Sequence, residues 1–315
     1  MRIVAICVAA TVAAGCGGHR YYNVTPDSTR AIREQRAAAA AAEAANGSPV
    51  ESLGAYMAKV RELQAGVRPT PPSKLATLET SDPALVAALL ESTLAPTPDS
   101  LRGVAEEYRR LKVFDKGHDY LTRALALAPK DARVRDGLAR LWRDAGMPSL
   151  AIGDAHRAVF YAPNSAAAHN TLGTVLQALG QRAGARREYE RAASLDSLAA
   201  YAHNNICYSL VLEGDGAMAV QACRRALSLD PKSAVTLNNA GLAYALTGDE
   251  AASRASFAAA GTAAAAQFNN GIVQLASRQW DEASRSFLDA LAADPTMHEA
   301  GVRARQAQSM RKDKP

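Results

Sequence analysis

The hexapeptide Ala124-Leu125-Ala126-Leu127-Ala128-Pro129 returns 34 residues later as Ala158-Val159-Phe160-Tyr161-Ala162-Pro163. At the same step come Ala192-Ala193-Ser194-Leu195-Asp196 and Ala226-Leu227-Ser228-Leu229-Asp230-Pro231. A last copy, Ala290-Leu291-Ala292-Ala293-Asp294-Pro295, falls out of step. A proline cannot continue a helix, so Pro129, Pro163 and Pro231 close a unit whose starts fall near residues 98, 132, 166, 200 and 234. In that frame the eleventh place holds Tyr108, Trp142, Leu176, Leu210 and Tyr244. The twentieth holds Gly117, Ala151, Ala185, Ala219 and Ser253, and the twenty-seventh Ala124, Ala158, Ala192, Ala226 and Ala260. Small residues at fixed places let two antiparallel helices approach closely, and larger ones fill the space around them. Gly180, Gly214 and Gly248 fall between the two helices, where a left-handed cap costs glycine little.

A 34-residue unit with these places occupied resembles the tetratricopeptide (TPR) repeat. The resemblance implies an all-α solenoid of about six helix hairpins over residues 98–297, with a capping helix and tail over 298–315. The sixth repeat starts near residue 264, as Gly271, Ala283, Ala290 and Pro295 indicate. Four residues are missing between Gly261 and Ala266, which predicts a tightened connection.

In this family the first helices line a concave face, through places 2, 5, 9, 12 and 13. Those places hold Arg102, Arg109, Arg133, Asp136, Arg140 and Arg143 in repeats one and two. In repeats three to five they hold Asn170, Thr174, Gln177, Tyr201, Asn204, Tyr208, Val235, Asn238 and Leu242. The resemblance thus implies a groove with a basic end and an amide and aromatic middle, suited to a peptide or helix of a partner protein. Asn170, Asn204 and Asn238 either hydrogen-bond a bound backbone or tie neighbouring helices together; Asn205, Asn239 and Asn269 match a consensus Asn and read as ties. Tyr201 and Val235 stand where some family members carry the cations that grip a C-terminal carboxylate, which argues against that mode.

The N-terminus reads as an address. Met1-Arg2, the short apolar run Ile3 to Ala14 and the small residues Ala13-Ala14-Gly15 have the layout of a secretory signal spanning 1–15. Ala13-Ala14-Gly15-Cys16 resembles a bacterial lipobox, which implies an acylated Cys16 that holds the chain on a membrane. By the same resemblance Gly17 points to the outer membrane, with the body facing the periplasm. Residues 16–97 read as a lipid-anchored spacer with short helices: an Ala-rich stretch from Arg30 to Ala45, a stop at Asn46-Gly47-Ser48-Pro49, then Val50, Leu53, Met57, Val60 and Leu63 at helical spacing. Arg68-Pro69-Thr70-Pro71-Pro72 predicts a stiff, extended linker. Ser81-Asp82-Pro83 predicts the start of a short helix that ends at Leu94.

Hydrophobic residues make up 48% of the 315 and aromatics only 5%, so the core rests on Ala and on close helix packing. The net charge of +5 is spread along the chain rather than gathered in a stripe, which argues against nucleic-acid binding. No nucleophile, phosphate-loop or metal motif stands out, so neither catalysis nor a cofactor is expected. His169 and His203 share the fourth place, where packing is the expected role. Cys207 and Cys223 fall opposite each other in repeat four, as a disulfide or as two small buried thiols. Paired helix axes about 8–10 Å apart, against a Cα limit of about 7 Å for a disulfide, tilt that reading towards the thiols.

A lipid anchor, a spacer and six repeats are similar in organisation to the TPR lipoproteins of Tad pili and to type IV pilus pilotins. The segment Asn238 to Asp249 resembles phrases common in Tad-type members. The resemblance implies a scaffold for pilus or secretion-system assembly, with a secretin or pilus component as partner. The alternative is a general envelope adaptor that docks onto a cell-wall enzyme or protease and regulates it.

Overall fold

The computed structural model describes residues 72–312, and all regular structure among them is helical. The expected signal segment, Cys16 and the spacer up to residue 71 lie outside the described residues. The chain divides into two compact units. Of the described residues, those up to Val86 belong to one and those from Ala87 onward to the other. In the first, α1 (Pro72–Ser81) begins on the last residue of the expected extended linker. A proline is tolerated there because the first helical N–H has no intrahelical partner to lose. Helix α2 (Pro83–Leu94) crosses the unit boundary, and Asp82 opens it by accepting a hydrogen bond from the Leu85 amide at 3.0 Å.

Six hairpins follow. They are α3 (Pro98–Arg110) with α4 (Phe114–Leu127), α5 (Ala132–Asp144) with α6 (Pro148–Tyr161), and α7 (Ala166–Ala178) with α8 (Arg182–Leu195). Then come α9 (Ala200–Glu213) with α10 (Gly216–Leu229), α11 (Ala234–Thr247) with α12 (Glu250–Ala260), and α13 (Ala263–Ala276) with α14 (Trp280–Ala293). Each second helix packs on its own first helix and on the first helix of the next repeat. Side-chain caps from Thr97, Asp131, Ser165, Ser233 and Thr262 satisfy amides at the starts of the first helices. Between the helices of a hairpin, Gly146, Gly180, Gly214 and Gly248 adopt φ of 78–82°. Lys112 and Arg278 take the left-handed conformation at the same place in the first and last repeats.

What sets the spacing within a hairpin is one crossing, between the eighth and twenty-fourth places. A Cβ on Gly173 would stand 2.5 Å from the Tyr189 ring, and one on Gly271 would stand 2.7 Å from the Phe287 ring. The Cβ of a residue at 241 would likewise fall within 3.0 Å of the Phe257 ring. All three rings are buried. Repeats one and two use smaller partners at this crossing, Ala105 with Leu121 and Ala139 with Ala155, all buried. In repeat four the same two places hold Cys207 and Cys223, and these form a disulfide with Cα atoms 5.2 Å apart. Of the two alternatives left open by the sequence, disulfide or buried thiols, the structure has the disulfide. Helix axes bound the Cα separation only loosely, because each Cα lies about 2.3 Å off its axis and two facing ones approach that much closer.

The deletion before repeat six is absorbed in two places. Helix α12 has 11 residues where α10 has 14, and only Gly261 and Thr262 connect it to α13. The array ends in α15 (His298–Lys312), whose Ala300, Ala304 and Ala307 join the buried cluster around Phe287. Its far side is mainly polar, with Arg305, Gln308, Ser309 and Arg311 exposed beside Val302 and Met310.

Two expectations follow from the crossing. Gly241→Ala should lower stability to urea by about 1–3 kcal/mol, because a methyl group overpacks a buried ring. Gly103→Ala should raise it by about 0.5–1 kcal/mol, because a Cβ there meets nothing within 4 Å and only the helix-propensity gain remains. The paired variant Cys207→Gly/Cys223→Phe rebuilds the crossing of repeats five and six. It should fold and melt independently of reductant, while reduction of the parent should cost it about 3 kcal/mol for a loop of this length. Equal melting of the parent with and without reductant would show that the disulfide contributes nothing.

Candidate functional site

The first helices α3, α5 and α7 lie side by side, as do α9 and α11. They bring the fifth-place asparagines into one row with the sixth-place asparagines of the following repeats. Asn205 Nδ2 donates to Asn170 Oδ1 at 2.7 Å, Asn239 Nδ2 to Asn204 Oδ1 at 2.9 Å, and Asn269 Nδ2 to Asn238 Oδ1 at 2.8 Å. Asn204 Nδ2 also reaches Asn205 Oδ1 at 3.3 Å. Of the two sequence readings, the contacts show the ties between repeats. Asn170, Asn204 and Asn238 tie repeats together through their carbonyls, yet each stays half-buried rather than closed off. The donors Asn239 and Asn269 are buried, so removing an acceptor would strand a desolvated N–H group, at about 1–3 kcal/mol.

The aromatic middle flanks this row. Tyr201, at the start of α9, is 43% exposed, and Tyr208, two turns on, is half-buried. Thr174 and Gln177 are more engaged than their positions suggested. Thr174 Oγ1 accepts from Arg143 at 2.8 Å and donates to the Thr171 carbonyl at 2.8 Å, while Gln177 Oε1 accepts from the Tyr189 hydroxyl at 3.2 Å. Leu242 is buried and takes no part in the surface.

The expected basic end is not an open cationic surface. Arg109 pairs with both Glu106 and Asp144, and Arg140 Nη2 lies 3.0 Å from Glu106 Oε1. Arg143 pairs with Asp144 at 2.7 Å, and Arg133 with Asp99 at 3.1 Å and Asp131 at 3.4 Å. Burial pushes the Glu106 carboxyl up, but the hydrogen bond from Arg109 and the charges of Arg140 and Arg109 outweigh it and hold its pKa below the usual range. The hydrogen bond to Glu106 is the chief reason that Arg109 is raised. Asp136 is different. Burial raises its pKa, and its Oδ1 has no partner although Arg140 and Arg143 lie close by. The signal that would have found this network is in the repeat frame: Asp99, Glu106 and Asp144 occupy the second, ninth and thirteenth places beside the arginines.

The histidines are structural. His169 is buried, with Nδ1 2.6 Å from Glu188 Oε2 and Nε2 3.0 Å from the Pro163 carbonyl, and His203 Nε2 lies 3.2 Å from the Ser197 carbonyl. Each braces the turn that enters its own repeat. The arrangement as a whole offers amides, phenols and paired charges along one row of helices. It is equipped to hold a chain by hydrogen bonds and apolar contact.

No family model matches the sequence, and no curated protein matches it. Solved structures do resemble it. A tetratricopeptide repeat protein from Parabacteroides merdae is 16% identical, over 80% of this chain and 98% of its own, with a TM-score of 0.54. PilW, described as a widely conserved type IV pilus biogenesis factor, is 17% identical, over 65% of this chain and 97% of its own, with a TM-score of 0.57. PilF of Pseudomonas aeruginosa is 16% identical, over 67% and 96%, with a TM-score of 0.55. At such identities the likeness concerns the fold, and with the six hairpins and their cap it establishes that this chain is an all-α tetratricopeptide-repeat solenoid.

Proposed function

We propose that the chain is a non-enzymatic scaffold of bacterial envelope machinery that grips a segment of a partner protein along the first helices of repeats three to five. The observation that carries this reading is the row of Asn170, Asn204 and Asn238. Each spends its carbonyl on the next repeat, and its half-buried carboxamide borders the same face as Tyr201 and Tyr208. Amides at a fixed step suit the repeating carbonyls of a bound chain, and tyrosines add flat apolar area with a polar tip. In this reading Cys16 is acylated, the anchor lies in the outer membrane, and the repeats face the periplasm. A disulfide in the array fits an oxidising compartment. The fold shared with PilW and PilF supports a place in pilus or secretion-system assembly.

The ladder dictates how the groove must be tested. Asn204→Ala would strand Asn239 and lower stability whatever the ligand. Asn170→Asp and Asn238→Asp keep the acceptor and remove the donor. Combined with Tyr208→Ala, they should weaken partner binding at least about tenfold, the equivalent of one or two lost hot-spot contacts, with melting nearly unchanged. Unaltered affinity would remove this face as the site. The partner itself is sought by in-cell cross-linking and mass spectrometry on the parent and Cys16→Ala. A secretin or pilus component captured only with the anchor intact supports the assembly role. A cell-wall enzyme or protease captured without any such component would replace it with the regulatory adaptor.

A further inference from the structure

The second helices of repeats one to four carry Arg123, Arg157, Arg191 and Arg225, one at the same place in each repeat, and all four are exposed. Large apolar side chains stand exposed just beyond them. Leu127 is 57% exposed, Phe160 77%, Tyr161 36% and Leu198 71%. Leu127, Phe160 and Tyr161 follow their arginines by three or four residues and so share a helix face with them. Leu198 lies in the turn that follows α8. Hairpins stacked in parallel put the ends of all second helices on one edge of the array. The apolar residues run through repeats one to three and the arginines through repeats one to four: the arginine's place is Ala259 in repeat five and Asp289 in repeat six, and the turns after the second helices of repeats four to six hold no exposed large apolar residue.

We infer that this edge is a surface for an anionic lipid bilayer, with the arginines at the headgroups and Phe160, Leu127 and Leu198 dipping below them. Charge complementarity identifies the occupant. Arg123 stacks over Tyr120 at 4.9 Å, and Arg225 donates to the Ser197 carbonyl at 3.0 Å, neither neutralising the cation. Arg157 lies 3.7 Å from Asp154, which Arg135 already engages at 2.7 Å. Of the nearby acids, Glu190 faces Arg186 at 3.5 Å, while Asp196, which accepts from the Leu198 amide at 3.0 Å, keeps its charge and offsets one of the four arginines. Asp230 remains in the last turn and offsets Lys232 beside it. The apolar groups project one repeat apart instead of forming a groove. A bilayer accepts such isolated side chains, whereas a folded protein partner needs a contiguous patch. No helix among the described residues is long and apolar enough to cross a membrane, so the contact is superficial. The inference does not depend on the groove or on acylation of Cys16.

The test is co-sedimentation of the full chain carrying Cys16→Ser with vesicles of phosphatidylcholine alone or mixed with phosphatidylglycerol. The parent is expected to prefer the anionic vesicles and to lose that preference in high salt. Each cation near such a surface contributes roughly fivefold to binding, so Arg123→Gln/Arg157→Gln/Arg191→Gln/Arg225→Gln should bind them more than tenfold more weakly. Phe160→Ser/Leu198→Ser should bind less at either salt concentration. All these residues are exposed, so circular dichroism melts should match the parent. Equal binding by parent and variants overturns the inference. So does a photo-cross-linker at position 160 that labels a protein and no lipid in cells.

Discussion

The structure depends on how closely two helices of a hairpin approach at their crossing. Repeats three, five and six solve it with glycine against a buried aromatic ring, repeats one and two with alanine against a small or medium aliphatic, and repeat four with a covalent bond. The solutions differ chemically but hold the two helices in contact at the same two places. Dense packing of this kind leaves little freedom for a core with so few aromatics. Of the large fully buried side chains, Tyr189, Phe257 and Phe287 all serve the crossing. The disulfide takes the place that a glycine and an aromatic ring hold in repeats three, five and six.

Because each hairpin is fixed, the relation between neighbouring hairpins can be carried by polar contacts. The asparagine rungs show this. Two of them join residues 35 apart in sequence, while the third, Asn238 to Asn269, joins residues 31 apart. The shift of four equals the deletion before repeat six. Helix α12 and its connection take up the missing residues, so the first helices stay in register and the amide row continues unbroken into α13. A face that survives a deletion behind it is held by its own contacts.

Much of this was legible in the sequence because the TPR signature is a packing code. Small residues at fixed places, closing prolines and turn glycines each have a steric reason, and they agree across the repeats. Helix α1 was not legible, since Leu75 and Leu78 give it almost no pattern and the prolines before it point to extended chain. The candidate face was legible as a set of positions on the first helices but not as a set of contacts. The frame named the arginines, yet charge depends on which acids reach them, and Glu106 and Asp144 were at hand in the same frame. The cysteine pair was legible as a possible disulfide, but the axis spacing could not decide for it, because the limit on a disulfide applies to Cα atoms and not to helix axes.

The pairing of the arginines changes what kind of recognition each face supports. In α5, Arg133, Arg135, Arg140 and Arg143 all have carboxylate partners, so a ligand there must either exchange ion pairs or leave them alone. Exchange gains little, since one buried or half-buried pair replaces another and both must be desolvated. The amide and phenol row has no such cost, and contacts made there should respond weakly to salt. The opposite holds behind it. Arg187, Arg191, Arg224 and Arg225 are exposed on α8 and α10, Arg186 being paired with Glu190 and Glu213, and exposed charges of one sign act over about 8–10 Å at ordinary ionic strength. If both proposals hold, one array pairs a face suited to short-range hydrogen bonding with an edge whose charge acts at longer range.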